Sequence, residues 1–266
     1  MKRFIFTIMA VMALTAAAEI GRTTLLRPGE MEVNPDDIIQ LQGIGLCLQC
    51  GPDSMMVLDN PNLDAVYWVE PNLGRDYVVA TGMVYAAEGD SIHRVATDSL
   101  PSKFLARMDN EQFMLYPANA DEFFAVTADE EFSCVYRLNP LNNTCVPEMS
   151  IQAPIQKISS YNGRSVMWID DQILLMDADN EKYTYIFSWP TISDMVLTPL
   201  GLMVATADGV YWVTDPDGGA VLYPKPVNRV WWDDDDILYV LRTDGTLEAL
   251  LGLREAYIQA KKTKPE

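Results

Sequence analysis

Few residues of this chain are of a type that does covalent chemistry, and their spacing narrows what each could do. His93 is the only histidine. A metal centre built on several imidazoles is therefore excluded, and any histidine-dependent nucleophile would have to use this residue. Its neighbours Asp90 and Ser91 lie on the same extended stretch. Adjacent strand positions point to opposite faces, so the three cannot stack into a nucleophile, a base and an orienting acid.

The four cysteines offer two arrangements. Cys47-Leu48-Gln49-Cys50 has the CxxC spacing, which in redox enzymes works because a helix N-terminus stabilises the thiolate. Here the motif falls on a predicted strand and its turn, where residues three apart face opposite ways about 10 Å apart. Packing, or a local bridge across a bend at Gly51-Pro52, is the reading this favours over redox or metal chemistry. Cys134 and Cys145 straddle Asn139-Pro140. Counting outward from that turn pairs 138 with 141, 136 with 143 and 134 with 145, so a cross-strand disulfide between Cys134 and Cys145 is expected. Asp233, Asp234, Asp235 and Asp236 follow Trp231-Trp232. Clustered carboxylates suit Ca²⁺, but the spacing matches no EF-hand loop, and a solvated hairpin tip is the competing reading. No other cofactor is expected.

The chain has 266 residues, with 19 Lys and Arg against 38 Asp and Glu. Lys2 and Arg3 precede an apolar run from Phe4 to Leu14 and the small residues Thr15 to Ala18. That is the pattern of a cleavable signal peptide over 1–18, with Glu19 as the first mature residue. The run is short for a membrane span and no second one follows, so an exported product of the periplasm or cell envelope is expected, not an integral membrane protein. Losing the leader leaves 17 bases against 38 acids, a net charge of −21. Nucleic acid is an unsuitable partner for such a surface, and basic proteins or cations are suitable ones.

The elements that must position these residues repeat along the chain. An apolar run, a tight turn with aspartate and a second apolar run recur six times, with the turn aspartates at Asp53, Asp90, Asp129, Asp171, Asp208 and Asp244. The steps are 37, 39, 42, 37 and 36 residues. A period near 40 with short strands is that of four-stranded β units, since helical repeats would show a 3.6-residue pattern. Runs such as Val210-Tyr211-Trp212-Val213 are continuously apolar, as strands covered on both faces should be. Outer strands are predicted at 65–69, 103–107, 144–147, 183–188 and 220–223. The sixth repeat lacks one, and Thr23 to Leu26 is the candidate to supply it, with Arg254 to Lys262 helical or frayed.

Over 36–252 the chain resembles the quinoprotein-like and WD40-like β-propellers, without the Trp-Asp endings and Gly-His starts of WD40 blades. The resemblance implies an all-β fold, a six-bladed β-propeller of short four-stranded antiparallel blades, with 19–35 closing the ring and 253–266 as a tail. In that topology the turns between strands one and two share a face with those between three and four. Asp121, Asp177, Asp179, Asp215, Asp217 and Asp233 to Asp236 would then form one acidic face. The function expected is a non-catalytic scaffold that docks a protein with a basic surface. The competing reading is a carbohydrate-binding or carbohydrate-active propeller using carboxylates and Trp168, Trp212, Trp231 or Trp232 near the central channel.

Overall fold

The computed structural model describes residues 20–28, 37–41, 45–49, 55–58, 66–69, 77–97, 99–110, 113–129, 131–177, 182–188, 191–215, 218–233 and 235–263. The predicted signal peptide, Cys50 and Asp53 lie outside these. The described chain is almost all strand, in antiparallel four-stranded sheets, and divides into two compact units, 39–188 and 1–38 with 189–266.

In the first unit each sheet is built from strands consecutive in sequence. One holds β2 (Asp37–Leu41, at the unit boundary), β3 (Gly45–Gln49), β4 (Met55–Leu58) and β5 (Val66–Val69). The next holds β6 (Tyr77–Ala80), β7 (Met83–Glu88), β8 (Ser91–Arg94) and β9 (Lys103–Arg107). Then come β10 (Phe113–Pro117), β11 (Phe123–Ala128), β12 (Ser133–Asn139) and β13 (Thr144–Ile151). The last holds β14 (Ile155–Tyr161), β15 (Arg164–Ile169), β16 (Gln172–Asp177) and β17 (Lys182–Ser188). First strands are neighbours: β10 lies against both β6 and β14.

The middle sheet shows why its strands read as unbroken apolar runs. Phe123 and Ala125 point into a core shared with Val78, Tyr85, Ile92 and Leu105, while Phe124 and Val126 point into a second core with Ile155, Ile158 and Met167. Alternate residues face opposite ways, so a sheet covered on both sides needs apolar residues at every position.

The second unit holds β18 (Ile192–Thr198), β19 (Gly201–Thr206), β20 (Gly209–Asp215) and β21 (Gly218–Tyr223) in one sheet. In the other, β22 (Val227–Trp232), β23 (Leu238–Arg242) and β24 (Leu247–Leu251) are completed by β1 (Gly21–Leu26), which pairs antiparallel with β24. Helix α1 (Leu253–Thr263) follows. Its Leu253 and Ala256 are buried, and Tyr257 packs on Trp212 with ring centroids 5.4 Å apart. Trp212 and Trp232 belong to this unit's core, and the Trp212 indole donates to the Leu200 carbonyl at 2.9 Å.

The repeat aspartates Asp90, Asp129, Asp171, Asp208 and Asp244 all fall between the second and third strands of their sheets. That shared position explains the regular spacing. At Asp129 the carboxylate accepts from the backbone N–H of Glu131 at 2.8 Å and of Phe132 at 2.6 Å, closing the turn locally.

The hairpin of β12 and β13 corrects the disulfide expected between Cys134 and Cys145. Both cysteines are free thiols: Cys134 lies opposite Ser150, and Cys145 opposite Leu138. The Asn139 side chain accepts from the N–H of Leu141 at 3.0 Å and of Asn142 at 3.2 Å, and Asn143 takes the left-handed conformation at φ 54°. These contacts make a four-residue loop that pairs 139 with 144, and a bulge near Val135 shifts the register once more. The cysteines thus stand several residues out of register, beyond the reach of an S–S bond.

A thiol reagent should therefore label Cys145 on the folded, non-reduced protein, faster at pH 8.5 than at pH 7. Desolvation raises this thiol above the usual cysteine range, so little of it is thiolate at neutral pH. A Cys134–Cys145 cross-link found by peptide mapping would contradict the register.

Candidate functional site

The carboxylates singled out from the sequence fall into two kinds, those spent on the fold and those left in solvent. In the 39–188 unit the turn from β10 to β11 is built by Asn119. Its side-chain oxygen accepts from the N–H of Asp121 at 2.8 Å and of Glu122 at 3.0 Å, and its amide donates to Glu122 at 2.9 Å. This holds Asp121 exposed at the tip while turning Glu122 back toward the sheet.

Glu122 meets Arg137 there. The Arg137 guanidinium makes a two-pronged contact with Glu148 at 2.8 and 3.0 Å, donates to Glu122 at 3.1 Å, and lies 5.0 Å from the centre of the Phe124 ring. Asn139 donates to the second Glu122 oxygen at 3.1 Å. Partial burial pushes the Glu122 pKa up, but hydrogen bonds from Asn119, Asn139 and Arg137 outweigh it and hold the carboxyl below its usual range. Arg137 is the one charged residue of β12, and Glu148 the one charged residue of β13. Single opposite charges on consecutive apolar strands are the sequence signal that could have found the pair.

In the other unit the aspartate run divides. Asp233 does not stand in solvent, against the expectation of a solvated tip: it is 3% exposed, and one carboxylate oxygen accepts from the N–H of Asp235 at 3.0 Å and of Ile237 at 2.9 Å. Burial raises its pKa, opposed by hydrogen bonds from the Ile237 and Asp235 backbone and the Tyr239 side chain. Asp236 is ion-paired with Arg254 of α1, with Nη2 to Oδ1 at 2.7 Å. Asp235 is exposed. Asp234, Asp179 and Asp217 lie outside the described residues, and Asp177 and Asp215 are the last residues of β16 and β20.

Asp233 thus acts as the internal hub of its turn, and this can be measured. Both backbone bonds go to one oxygen, which asparagine retains, so Asp233→Asn should stay within about 1 kcal/mol of the parent at pH 7. Asp233→Ala should lose about 2 kcal/mol, a fall in Tm of about 4–8 °C. Equal losses in thermal unfolding would refute this role.

A second set of polar residues, missed in the sequence, locks the first strands. In the 1–38 and 189–266 unit, pairing skips Ser193 in β18 and Asn228 in β22. Bulges leave backbone groups without ladder partners. Arg229 donates to the carbonyls of Ser193 at 3.2 Å and Asn228 at 3.1 Å, the Ser193 hydroxyl donates to the Val227 carbonyl at 2.6 Å, and the buried Asp194 accepts from the Val230 N–H at 2.9 Å. In the 39–188 unit, pairing skips Gln156 in β14, and the Tyr116 hydroxyl donates to its carbonyl at 3.0 Å. The triplets Ile155-Gln156-Lys157, Ile192-Ser193-Asp194 and Val227-Asn228-Arg229 share an aliphatic, polar, charged order that marks these bulges in the sequence.

The remaining candidates make contacts within the fold. The His93 ring meets Phe104 edge-on with centroids 5.5 Å apart, and the Ser91 hydroxyl donates to Asp90 at 2.7 Å. Cys47 pairs across β3 and β4 with Val57. The Trp168 indole donates to the Asp170 carbonyl at 2.6 Å. Among the described residues no three of His, Cys, Asp and Glu are gathered as a metal ion would require. No helix among them is long and apolar enough to cross a membrane.

No family model matches the chain, and no curated protein matches it. Solved structures do. The WD40 domain of Neurospora crassa Pan2 is similar at 13% identity and a TM-score of 0.56, covering 88% of this chain and 94% of that one. A gluconolactonase of Xanthomonas campestris gives 14% identity and a TM-score of 0.60, covering 88% and 90%. The extracellular domain of the one component system BT4673 of B. thetaiotaomicron gives 10% and 0.56, and there the match covers 87% of this chain but 40% of the other. At such identities only architecture is shared. With the all-antiparallel four-stranded sheets and neighbouring first strands of each unit, the comparisons show that the chain has a β-propeller fold.

Proposed function

We propose that this protein is an exported, non-catalytic interaction scaffold of six blades that docks a basic protein surface through aspartate-bearing turns. The observation that carries this is the division of labour among the acids. Glu122, Glu148, Asp233 and Asp236 are engaged by the fold, while Asp121 and Asp235, each on a turn between first and second strands, are held outward by those same contacts. Turns braced by side-chain to backbone bonds present a charge without ordering cost on binding. The excess of acid over base supplies long-range attraction for a cationic partner. WD40 domains such as that of Pan2 share the architecture, and a rigid scaffold with variable turns is suited to holding partners. The leader-like 1–18 segment supports export, with Glu19 expected at the mature N-terminus by Edman sequencing.

The test is capture of a partner from the source envelope at 50 and 500 mM salt. Retention should fall at high salt and with Asp121→Lys/Asp235→Lys. It should survive the equal charge change Glu131→Lys/Asp208→Lys on turns between second and third strands. Retention independent of salt, or lost only in the second variant, would overturn the proposal.

A further inference from the structure

A different surface, on β8 and β9, carries the opposite charge. β9 is the last strand of its sheet, so one side of its backbone has no partner strand among the described residues. Together β8 and β9 hold Arg94, Lys103 and Arg107 and no acid, in a chain with twice as many acids as bases. Lys103 and Arg107 are exposed, the Arg107 side chain to 72% even though its Nε contacts Asp90 at 2.8 Å. Between them Phe104 is 53% exposed, its ring held edge-on by His93. The register places Phe104 opposite His93 and Arg107 opposite Ser91, so ring and guanidinium lie on one face of the strand, and Lys103, opposite Arg94, lies on the other.

We propose that the free edge of β9 binds an extended acidic segment of a partner protein, added as a further strand. The edge N–H and C=O groups, which no described strand pairs, supply the backbone bonds; Phe104 and Arg107 receive an apolar and an acidic side chain on one face, and Lys103 takes a partner carboxylate on the other. Cations on an edge also serve to repel other edges. A phenyl ring standing in water beside such a cation adds nothing to that protection, and it is the feature a pairing partner would cover. The proposal does not use the aspartate turns, and stands or falls apart from them.

The probe is a capped heptapeptide, Val-Glu-Glu-Glu-Val-Glu-Glu, which as a strand carries valine and glutamate two residues apart on one face and glutamate on the other; it is titrated into the full chain at low salt and followed by calorimetry. Binding should weaken at least about tenfold with Phe104→Ser. It should be lost with Lys103→Glu/Arg107→Glu and on N-methylation of alternate peptide amides, and be unchanged with Arg164→Glu, a charge reversal on β15. Unfolding curves confirm that each variant is folded. No binding by the parent chain, equal binding of the N-methylated peptide, or indifference to Phe104→Ser would each overturn the proposal.

Discussion

Gly209→Ala should be the most damaging small substitution in the 1–38 and 189–266 unit. Gly209 opens β20 at φ 149°, and a Cβ there would sit 2.0 Å from the Tyr223 carbonyl oxygen and 3.0 Å from its carbon. Neither atom can step aside. They belong to the backbone of β21, whose Tyr223 pairs with Val210. The Tyr223 side chain is fixed as well: its hydroxyl donates to the buried Glu248, and Arg22 lies 5.3 Å from the centre of its ring. Relief would require moving β21 away from β20, with a cost of about 3–5 kcal/mol. A domain of this size should then lose about 6–20 °C in Tm. Gly82 and Gly163 make the comparison, since both have positive φ but nothing within 4 Å of the added carbon. Alanine at either should cost about 1 kcal/mol, the conformational penalty alone. Calorimetry of the three variants separates overlap from strain, and equal losses would show that the approach of Tyr223 to Gly209 is not tight.

Arg137→Met should have the largest effect in the 39–188 unit, and a pH dependence that identifies its cause. The substitution keeps most of the side-chain volume over Phe124 but leaves Glu122 and Glu148, with side chains 24% and 13% exposed, without their cation. Removing one partner of such a network costs about 3–4 kcal/mol at neutral pH. The Glu122 pKa is lowered in the folded chain, so its contribution is present above the unfolded value near 4.5 and is lost as pH falls through the folded value. In Arg137→Met the opposing effect of burial is no longer outweighed to the same degree. The variant should therefore lose less stability between pH 7 and pH 4 than the parent, and the two curves should converge in acid. Glu122→Gln/Arg137→Met should recover part of the loss at pH 7. Parallel pH profiles in urea unfolding would show that the loss is packing and not charge.

Much of the architecture was legible because one hairpin per sheet carries the same punctuation. Asp90, Asp129, Asp171, Asp208 and Asp244 mark equivalent turns, and the runs beside them are apolar at every position since sheets such as that of Phe123 to Val126 are covered on both faces. The outer strand 103–107 was legible for the same reason, lying one turn beyond a recognised hairpin. What was not legible depends on single side-chain contacts. The Cys134–Cys145 register failed because the Asn139 side chain sets a four-residue loop, a choice that symmetrical counting from Asn139-Pro140 does not contain. The Asp233 to Asp236 run reads as uniform charge, yet Asp233 is turned inward by two backbone N–H groups and Asp236 is bound by a helix arriving from later in the chain. Arg137 with Glu122 and Glu148 went unnoticed because their meeting depends on two strands and the turn before β11 at once.

The proposed docking rests on where a partner's lysines come to lie, and zero-length carbodiimide cross-linking of the captured complex reads that directly. Amide bonds from partner lysines to Asp121 and Asp235 are expected. Cross-links confined to Glu131, Asp208 or other acids outside the turns between first and second strands would contradict it.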